Sequence, residues 1–210
     1  QVIGAVFREI ISGCRGLEGP LNVSFFGAEA TYTHLAAREK FGSSANLRST
    51  ASIPEVFQEV SQGRADFGVV PIENSTEGAV THTFDLLVDT DLQICAEIFL
   101  EIHHNLLSRS GRAADVKGII SHPQALAQCR RWLARHFPSI PIDEVASTAH
   151  AAMKAAADGS LAAISSVMAR EVYDLQTVSA NIEDQSNNIT RFVVIGKLQP
   201  KPSGDDKTSL

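Results

Sequence analysis

The amino-acid sequence predicts an α/β protein made of two lobes, with mostly parallel strands. The first observation is that short apolar runs typical of strands alternate with amphipathic segments typical of helices, as they do in layered α/β folds. The second is an apolar segment, residues 92–107, that is too long for a typical strand and contains no Gly or Pro. A long strand that crosses from one lobe into another would explain this segment.

The predicted elements follow one another closely along the chain. Runs rich in β-branched and aromatic residues indicate strands, and apolar positions that recur every three or four residues indicate helices. The predicted strands are residues 21–26, 66–72, 118–121, 161–165 and 191–198. The predicted helices are residues 31–41, 53–61, 123–136, 148–157 and 167–174, with a further amphipathic segment at 80–88.

Composition limits the partners that the chain can have. Its 210 residues can form one large domain or two small lobes, and a hydrophobic content of 44% is sufficient for a buried core. The net charge of −6 argues against nucleic acid or an anionic membrane as a partner. No apolar run approaches the roughly 18 residues of a membrane span and no signal-peptide pattern opens the chain, so we predict a cytoplasmic protein.

The cysteines and the paired histidines do not predict a metal site. Cys14, Cys95 and Cys129 are far apart and odd in number, and no pair of His or Cys has metal-ligand spacing, so we expect reduced thiols. His103 and His104 lie in the long apolar segment, where neighbouring side chains point to opposite faces of a strand. We therefore expect core or surface roles for them.

Both ends of the chain are expected to belong to neighbouring parts of a longer protein. Residues 2–11 have helical periodicity that stops at Gly13, so residues 1–20 are interpreted as the tail of a preceding helical unit followed by a short linker. Residues 199–210 begin with the composition of a linker and become more apolar toward the end.

The segment PIENSTEGAV at residues 71–80 is the most informative feature of the sequence. It lies between an apolar strand and an amphipathic segment, which is where open α/β sheets bind ligands. Its amide, hydroxyl and carboxylate groups, together with the free N–H groups of a helix start, can contact a small polar molecule. A solvated turn would be the better interpretation if this segment stood alone, but similar clusters follow other predicted strands.

Two of these clusters open predicted helices. Residues 27–34 (GAEATYTH) begin with a glycine and place Thr31 where it can cap a helix. A structural cap and a ligand contact both stay open there, and the lack of a G-x-G-x-x-G fingerprint gives a dinucleotide little support. Ser147 and Thr148 open another helix, for which capping is the expected role.

A further cluster, SHPQALAQC, begins at Ser121. The four-residue spacing of Gln124 and Gln128 places both on one face of the predicted helix. We favour Ser121 as a hydrogen-bond donor to a ligand over a nucleophile paired with His122, because adjacent residues rarely orient each other as a dyad.

The last polar cluster, residues 181–192, leads directly into an apolar strand. Thr190 supplies a hydroxyl and Arg191 a permanent cation at the point where this strand begins. On its own this cluster would be a weak functional signal.

Together the clusters resemble those of prephenate dehydratases. That family is marked by a glycine-rich turn followed by threonine, an aromatic residue, threonine and histidine, and then by Pro-Ile-Glu-Asn, Ser-His-Pro-Gln and Thr-Arg-Phe. The four motifs occur here in the same order, and the resemblance covers residues 21–198. They lie at residues 27–34, 71–74, 121–124 and 190–192.

The resemblance extends to the ends and shows one departure. Residues 7–12 look like the last helix of a chorismate mutase domain, and residues 206–210 look like the start of an ACT domain, the phenylalanine sensor of the family. The chain would then be the middle domain of a bifunctional protein. Ala28 and Ala30 stand where the family usually has proline and glycine, and alanine tolerates a positive φ poorly.

The resemblance implies a periplasmic-binding-protein-like fold of type II, with the active site in a cleft between two α/β lobes. Lobe 1 would comprise about residues 21–98 and 177–198, and lobe 2 about residues 99–176. It also implies a lyase that converts prephenate to phenylpyruvate, with loss of water and carbon dioxide, in L-phenylalanine biosynthesis. Because aromatisation drives this reaction, no cofactor, metal or covalent nucleophile is expected.

The resemblance further implies roles for individual residues. The proton-donor role falls on Thr190, with Asn74, Ser121 and Gln128 as the other catalytic residues, which position the substrate. Threonine is a very weak acid, so true proton donation and hydrogen bonding to the leaving oxygen both stay open. Arg191 is expected to anchor a carboxylate or to bridge the lobes. The expected substrate-binding residues are Glu73, Thr31, Thr33, His122, Thr148, Arg191 and Phe192.

Two alternative functions accompany this prediction. Arogenate dehydratase performs the same chemistry on an aminated side chain and shares the motifs. A non-enzymatic small-molecule-binding module could use the same fold, although such proteins are usually exported. The expected partner is prephenate, without nucleic acid or membrane, and a homodimer is expected. Phenylalanine is expected as an effector only in the intact protein, and no chorismate mutase activity is expected from the chain itself.

Overall fold

Helices and strands alternate along residues 2–198, which the computed structural model describes, apart from the side chains at positions 2, 5, 8, 15, 16 and 18. The helices are α1 (Val2–Glu18), α2 (Tyr32–Phe41), α3 (Ile53–Ser61), α4 (Thr81–Val88), α5 (Pro123–Gln128), α6 (Arg130–His136), α7 (Thr148–Ala157) and α8 (Val167–Val172). The strands are β1 (Asn22–Phe26), β2 (Asn46–Thr50), β3 (Phe67–Asn74), β4 (Gly78–Ala79), β5 (Gln93–Glu101), β6 (Asn105–Ser108), β7 (Gly118–Ser121), β8 (Ile142–Glu144), β9 (Leu161–Ser165), β10 (Gln176–Ser179) and β11 (Ile189–Gly196).

The strands form two separate sheets, which confirms the predicted two-lobed α/β architecture. The first sheet has the order β2-β1-β3-β11-β5, with β4 paired to β3, and the second has the order β10-β6-β9-β7-β8. We call the parts of the chain around these sheets lobe 1 and lobe 2. Strand β10, which contains Thr177, pairs with β6 in lobe 2, so the chain returns to lobe 1 only after Ser179.

The prediction of mostly parallel strands is wrong. Strands β1, β2 and β3 are parallel, as are β7, β8 and β9, but β11 runs antiparallel to β3 and β5, and β6 runs antiparallel to β9 and β10. The short β4 also pairs antiparallel with β3. For β6 and β11 the reason is their entry point. Both β6 and β11 enter their sheet from the cleft between the lobes, where the parallel strands end, so they must run in the opposite direction.

Each sheet is covered by helices on both faces. In lobe 1, α2 packs on one face of the sheet through Ala36 and Ala37, and α3 packs on the other face through Val56 and Val60. In lobe 2 the small side chains of α7 allow that helix to lie close to the sheet, and Ala151, Ala152 and Ala155 join one core cluster. Helices α5 and α6 cover the opposite face. The two cores fix the positions of the strand ends that face the cleft.

The long apolar segment crosses between the lobes as two strands instead of the predicted single strand. Strand β5 ends at Glu101 in lobe 1, and β6 begins at Asn105 in lobe 2. Between them the backbone N–H of His104 donates to Glu183 Oε2 at 2.9 Å, and the His104 carbonyl accepts from the N–H of Ile182 at 2.8 Å. The returning chain therefore supplies the partners that a neighbouring strand would otherwise provide.

Two predicted helices differ from those observed. The helix predicted at residues 123–136 is divided at Cys129, because the Asp184 carboxylate accepts the N–H groups of Arg131 and Trp132, at 2.8 and 2.9 Å, and so caps a second helix start. Helix α1 does not stop at Gly13 but continues to Glu18. The predicted sensor segment in residues 199–210 lies outside the described residues. Within the described part, no helix has both the length and the apolar character needed to cross a membrane.

Candidate active site

A cavity of about 510 Å³ lies between the lobes, at the ends of β1, β3 and β7. Most of the predicted site residues line it, and they come from turns that are far apart in the sequence. The exceptions are Ser121, Glu73 and Arg191, which do not line the cavity. The predicted residues that do so are Thr31, Thr33, Asn74, His122, Gln128, Thr148, Thr190 and Phe192.

Asn74, at the end of β3, is held by hydrogen bonds to both atoms of its amide. Its Oδ1 accepts the backbone N–H groups of Thr76 and Glu77, at 2.9 and 3.2 Å, and the Thr76 hydroxyl at 2.6 Å. The Nδ2 atom then donates to Asn188 Oδ1 at 2.8 Å and to Thr190 Oγ1 at 2.7 Å. Asn74 therefore shapes its own turn and at the same time orients two side chains on the returning chain.

The hydroxyl of Thr190 is placed to donate into the cavity. Thr190 lies opposite Asn74 in the β3–β11 pair, and its oxygen accepts the Asn74 hydrogen bond. Within the described residues, no contact uses the Thr190 O–H as a donor. A hydroxyl has one hydrogen to donate, so this hydrogen is available to a molecule in the cavity.

A ring of side-chain hydrogen bonds joins the two lobes at the wall of the cavity. Asn188, which is 5% exposed, donates from Nδ2 to Gln128 Oε1 at 2.9 Å. Gln128 belongs to lobe 2, and its Nε2 lies 3.3 Å from Thr76 Oγ1 in lobe 1. We call Asn74, Thr76, Gln128 and Asn188 the polar bridge. His104 Nε2 also lies 2.7 Å from Gln128 Oε1, so the buried crossing segment takes part.

The turn between β1 and α2 contributes backbone to the cavity wall. The Thr31 hydroxyl donates to the Ala28 carbonyl at 2.8 Å and accepts the N–H of His34 at 3.4 Å, so it caps α2 while it lines the cavity. Ala30 has a φ of 64°, so the turn keeps a left-handed residue although alanine replaces the usual glycine. Tyr32 follows at the start of α2 and also lines the cavity.

The helix starts around the cavity offer hydrogen-bond donors in place of positive side chains. The first turns of α2, α3 and α7 reach the cavity, and α7 is capped by Ser147, whose hydroxyl accepts the N–H of His150 at 3.0 Å. Gln124 and Gln128 both line the cavity, as expected from their spacing. Among the described lining residues there is no Lys or Arg, and the one carboxylate is that of Glu77. An anion in this cavity would be met by N–H groups, hydroxyls and imidazoles.

Ser121 is fully buried inside lobe 2. Its hydroxyl donates to the Ile164 carbonyl at 2.7 Å, across the neighbouring strand, so it does not offer the expected contact to a ligand. All four residues of β7 are buried, and their pattern gives no sign of which side chain would face the cleft.

Arg191 and Glu73 lie on the face of lobe 1 that is turned away from Thr190. Arg191 forms salt bridges with Glu97 and with Glu73, whose Oε2 lies 3.7 Å from Arg191 Nη1. Both partners belong to the same sheet. The structure therefore supports neither of the roles expected for Arg191, since it is neither in the cavity nor paired across the lobes. The reason is that neighbouring residues of a strand point to opposite faces.

Sequence patterns did not identify His104, Asn188 and Tyr32, which also line the cavity. Their positions depend on contacts between distant segments, which no local spacing reveals. Tyr32 and His104 are separated by 72 residues, and their side chains lie 2.8 Å apart. Within the described residues, no cluster of three or more His, Cys, Asp or Glu could hold a metal ion.

The amino-acid sequence is similar to those of known proteins. The family model described as prephenate dehydratase matches residues 23–200. The bifunctional chorismate mutase/prephenate dehydratase of Pseudomonas aeruginosa is 46% identical over 211 residues, which cover 100% of this chain and 58% of that protein. The prephenate dehydratase of Bacillus subtilis is 36% identical over 204 residues, which cover 90% of this chain and 71% of that one.

A solved structure is also similar over most of the chain. The prephenate dehydratase of Arthrobacter aurescens in complex with L-Phe superposes with a TM-score of 0.78 at 30% identity, and the match covers 90% of this chain and 63% of that one. The chain spans little more than half the length of the bifunctional relatives that it matches.

Proposed function

The chain belongs to the prephenate dehydratase family, and from that premise we propose that it converts prephenate to phenylpyruvate with loss of water and carbon dioxide. The observation that carries the proposal is the hydroxyl of Thr190, whose oxygen is held by Asn74 and whose hydrogen is free to donate into the cavity. The reaction needs such a donor at the oxygen that departs.

In the proposed reaction the bond between the ring and its carboxylate breaks, and its electron pair forms the new ring double bond. The ring C–O bond breaks at the same time and its electron pair leaves with the oxygen, which becomes water on taking up a proton from the solvent. Thr190 donates a hydrogen bond that strengthens as negative charge develops on this oxygen. The bond from Asn74 polarises the Thr190 hydroxyl and makes it a better donor. This role suits threonine, which is too weak an acid to give up its proton outright.

The charges around the cavity agree with a decarboxylation. The departing carboxylate becomes neutral carbon dioxide, so a cation paired with it would stabilise the substrate more than the transition state. The described lining residues include no Lys or Arg, which leaves the carboxylates to N–H groups at the helix starts and to His122. Phe26 and Phe192 offer apolar surface to the ring that becomes aromatic.

The same lining favours prephenate over arogenate. Arogenate carries an ammonium group, which a buried site would have to meet with a carboxylate. Glu77 is the single carboxylate among the described lining residues, and it lies exposed on the turn after Asn74. We therefore expect kcat/KM to be higher for prephenate, and a competition assay with both substrates measures the ratio. Preferred turnover of arogenate would contradict this expectation.

The decisive test is the formation of phenylpyruvate by the purified chain. We expect prephenate-dependent absorbance of the product, at a rate that rises with protein concentration. Tight binding of a small molecule without turnover would support the non-enzymatic binding module instead.

The remaining predictions concern the whole protein. The L-Phe complex is a property of the Arthrobacter protein, and we propose that this chain responds to phenylalanine only as part of the intact protein. Residues 1–20 are proposed as the tail of a chorismate mutase unit, and residues 199–210, which lie outside the described range, as the start of a sensor domain. A homodimer and a cytoplasmic location stay predictions, for sedimentation and cell fractionation to measure.

A further inference from the structure

His104 is a buried histidine at the crossing between the lobes, with both ring nitrogens in contact with other side chains. Its Nδ1 lies 2.8 Å from the Tyr32 hydroxyl, and its Nε2 lies 2.7 Å from Gln128 Oε1. The residue is 3% exposed, and this burial lowers its pKa below the ordinary value, so the ring is neutral at neutral pH. A neutral imidazole carries one proton, on one of its two nitrogens.

The position of that proton follows from two backbone N–H groups at the other end of the network. The N–H groups of Thr76 and Glu77 both point at one atom of the Asn74 amide. A backbone N–H can only donate, so this atom must be Oδ1, and the opposite atom must be the NH₂ group. Asn74 therefore faces Asn188 as a donor.

The donor and acceptor roles of the other amides in the polar bridge follow from that of Asn74. Because Asn74 donates to Asn188, the accepting atom must be Asn188 Oδ1, and Asn188 presents its NH₂ group to Gln128. The Gln128 atom that receives this bond must be Oε1, which also faces His104 Nε2. An oxygen acceptor requires a hydrogen on the facing nitrogen, so the His104 proton lies on Nε2.

Tyr32 completes this assignment from the other side of the ring. His104 Nδ1 then has no hydrogen, so the single hydrogen of the Tyr32 hydroxyl is shared between two acceptors, the His103 carbonyl at 2.9 Å and His104 Nδ1 at 2.8 Å. Burial raises the pKa of Tyr32 well above its ordinary value, so this hydroxyl keeps its proton. The carboxylate of Glu183 accepts the backbone N–H of His104 and fixes the residue at the crossing.

We propose that His104 is a positioning residue, held as the Nε2–H tautomer, which orients the Gln128 amide and through the polar bridge the hydroxyl of Thr190. The inference rests on the proposed function only for its effect on turnover. Without the His104 donor, Gln128 Oε1 loses one of its two hydrogen bonds and the amide can swing away from Asn188. The hydrogen bonds from Gln128 through Asn188 and Asn74 to Thr190 are then less well fixed in direction.

The tautomer is tested on the wild-type protein, without reference to activity. Nitrogen NMR of the protein near neutral pH distinguishes a ring nitrogen that carries hydrogen from one that does not, and the His104→Gln variant identifies the His104 signals by their loss. We expect a hydrogen on Nε2 and none on Nδ1. A hydrogen on Nδ1, on both nitrogens or exchanging between them would overturn the proposal, whether or not the protein turns over prephenate.

The positioning role is tested with a pair of variants. His104→Leu removes the donor and should lower kcat about 10- to 100-fold, as a misplaced catalytic group does, with a much smaller change in KM. His104→Gln retains an Nε2–H group at the same distance from the backbone and should restore most of kcat. The exposed His82, on α4, provides the control His82→Gln, which should behave as wild type.

The outcomes of the kinetic test are distinct. A folded His104→Leu variant with wild-type kcat would overturn the positioning role, and so would equal losses in the Leu and Gln variants. If the Leu variant does not fold, the wild-type NMR measurement and the Gln variant still decide. A wild-type protein that shows the expected tautomer but no turnover would contradict the proposed function and leave the tautomer assignment intact.

Discussion

Among the contacts that join the lobes, two differ clearly in chemistry. The polar bridge lies at the wall of the cavity and consists of side-chain hydrogen bonds between amides and hydroxyls. The second contact, which we call the turn contact, is made by Ala30 and Ser166. Ala30 belongs to the turn before α2 but is fully buried in the core cluster of lobe 2, and the Ser166 hydroxyl donates to its carbonyl at 2.9 Å.

The two contacts have different effects on the protein. Each hydrogen bond of the polar bridge replaces a bond to water, so its net contribution to stability is only about 0.5–1.5 kcal/mol, but its geometry fixes the direction of every group. The turn contact buries apolar surface and a backbone carbonyl, and neither Ala30 nor Ser166 lines the cavity. We therefore expect changes in the polar bridge to alter turnover and changes in the turn contact to alter stability.

The largest effect is expected from substitution of Thr190, whose oxygen accepts a hydrogen bond from Asn74 of the polar bridge. Thr190→Val keeps the shape but removes the hydroxyl, so kcat should fall about 10²- to 10⁴-fold, with a far smaller change in KM. Thr190→Ser keeps the hydroxyl and should retain much of the rate. Thermal midpoints measured beside the kinetics should stay close to wild type. A folded Thr190→Val enzyme with near-normal kcat would remove Thr190 from the mechanism.

The second test replaces each of two adjacent serines with alanine, in separate variants. Ser166→Ala leaves the Ala30 carbonyl buried without its hydroxyl partner, which should lower the free energy of unfolding by about 1–3 kcal/mol. The neighbouring Ser165 provides a matched control, because its buried hydroxyl has no hydrogen-bond partner among the described residues. Ser165→Ala should be neutral or stabilising. Urea unfolding measures both.

The kcat values of the two serine variants show whether the turn contact affects turnover as well as stability. We expect both variants to keep kcat within a few-fold of wild type, since neither serine lines the cavity. A large loss of kcat in Ser166→Ala, with stability unchanged, would show that the turn contact also controls the chemistry.

Sequence predicted those parts of the site that a family motif marks or that spacing along one helix places together. Asn74, Gln128 and Thr190 were expected at the site because of the family resemblance, whereas the shared helix face of Gln124 and Gln128 followed from their spacing; all four line the cavity. The strand alternation that separates Thr190 from Arg191 was also visible in the sequence, and it would have removed Arg191 from the predicted site.

The remaining parts depend on long-range contacts. His104 enters the site because the returning chain binds the crossing segment through Glu183, a residue 79 positions away. Strand β2 was not predicted, because its polar sequence NLRST has no buried residue and resembles a loop. The same holds for β8, whose three residues are all exposed. These strands are defined by the neighbours with which they pair.

The smallest expected effect concerns Ala30 itself, where opposing contributions nearly cancel. A left-handed conformation costs a non-glycine residue about 1–2 kcal/mol, which Ala30→Gly would relieve. The same change removes a buried methyl group, a loss of about 0.8 kcal/mol, and glycine adds an entropic cost of roughly 0.5–1 kcal/mol. The free energy of unfolding should therefore stay within about 1 kcal/mol of wild type, with kcat unchanged because Ala30 does not line the cavity.

Ala30→Val, by contrast, places a branched side chain in a conformation and a core that cannot accept it, and should destabilise clearly. Urea unfolding of the wild type, Ala30→Gly and Ala30→Val measures the change in the free energy of unfolding for each variant. If Ala30→Gly were strongly destabilising, the methyl group would contribute more to the turn contact than its area indicates, and if Ala30→Val were harmless, the turn could not be packed against lobe 2 as the structure shows.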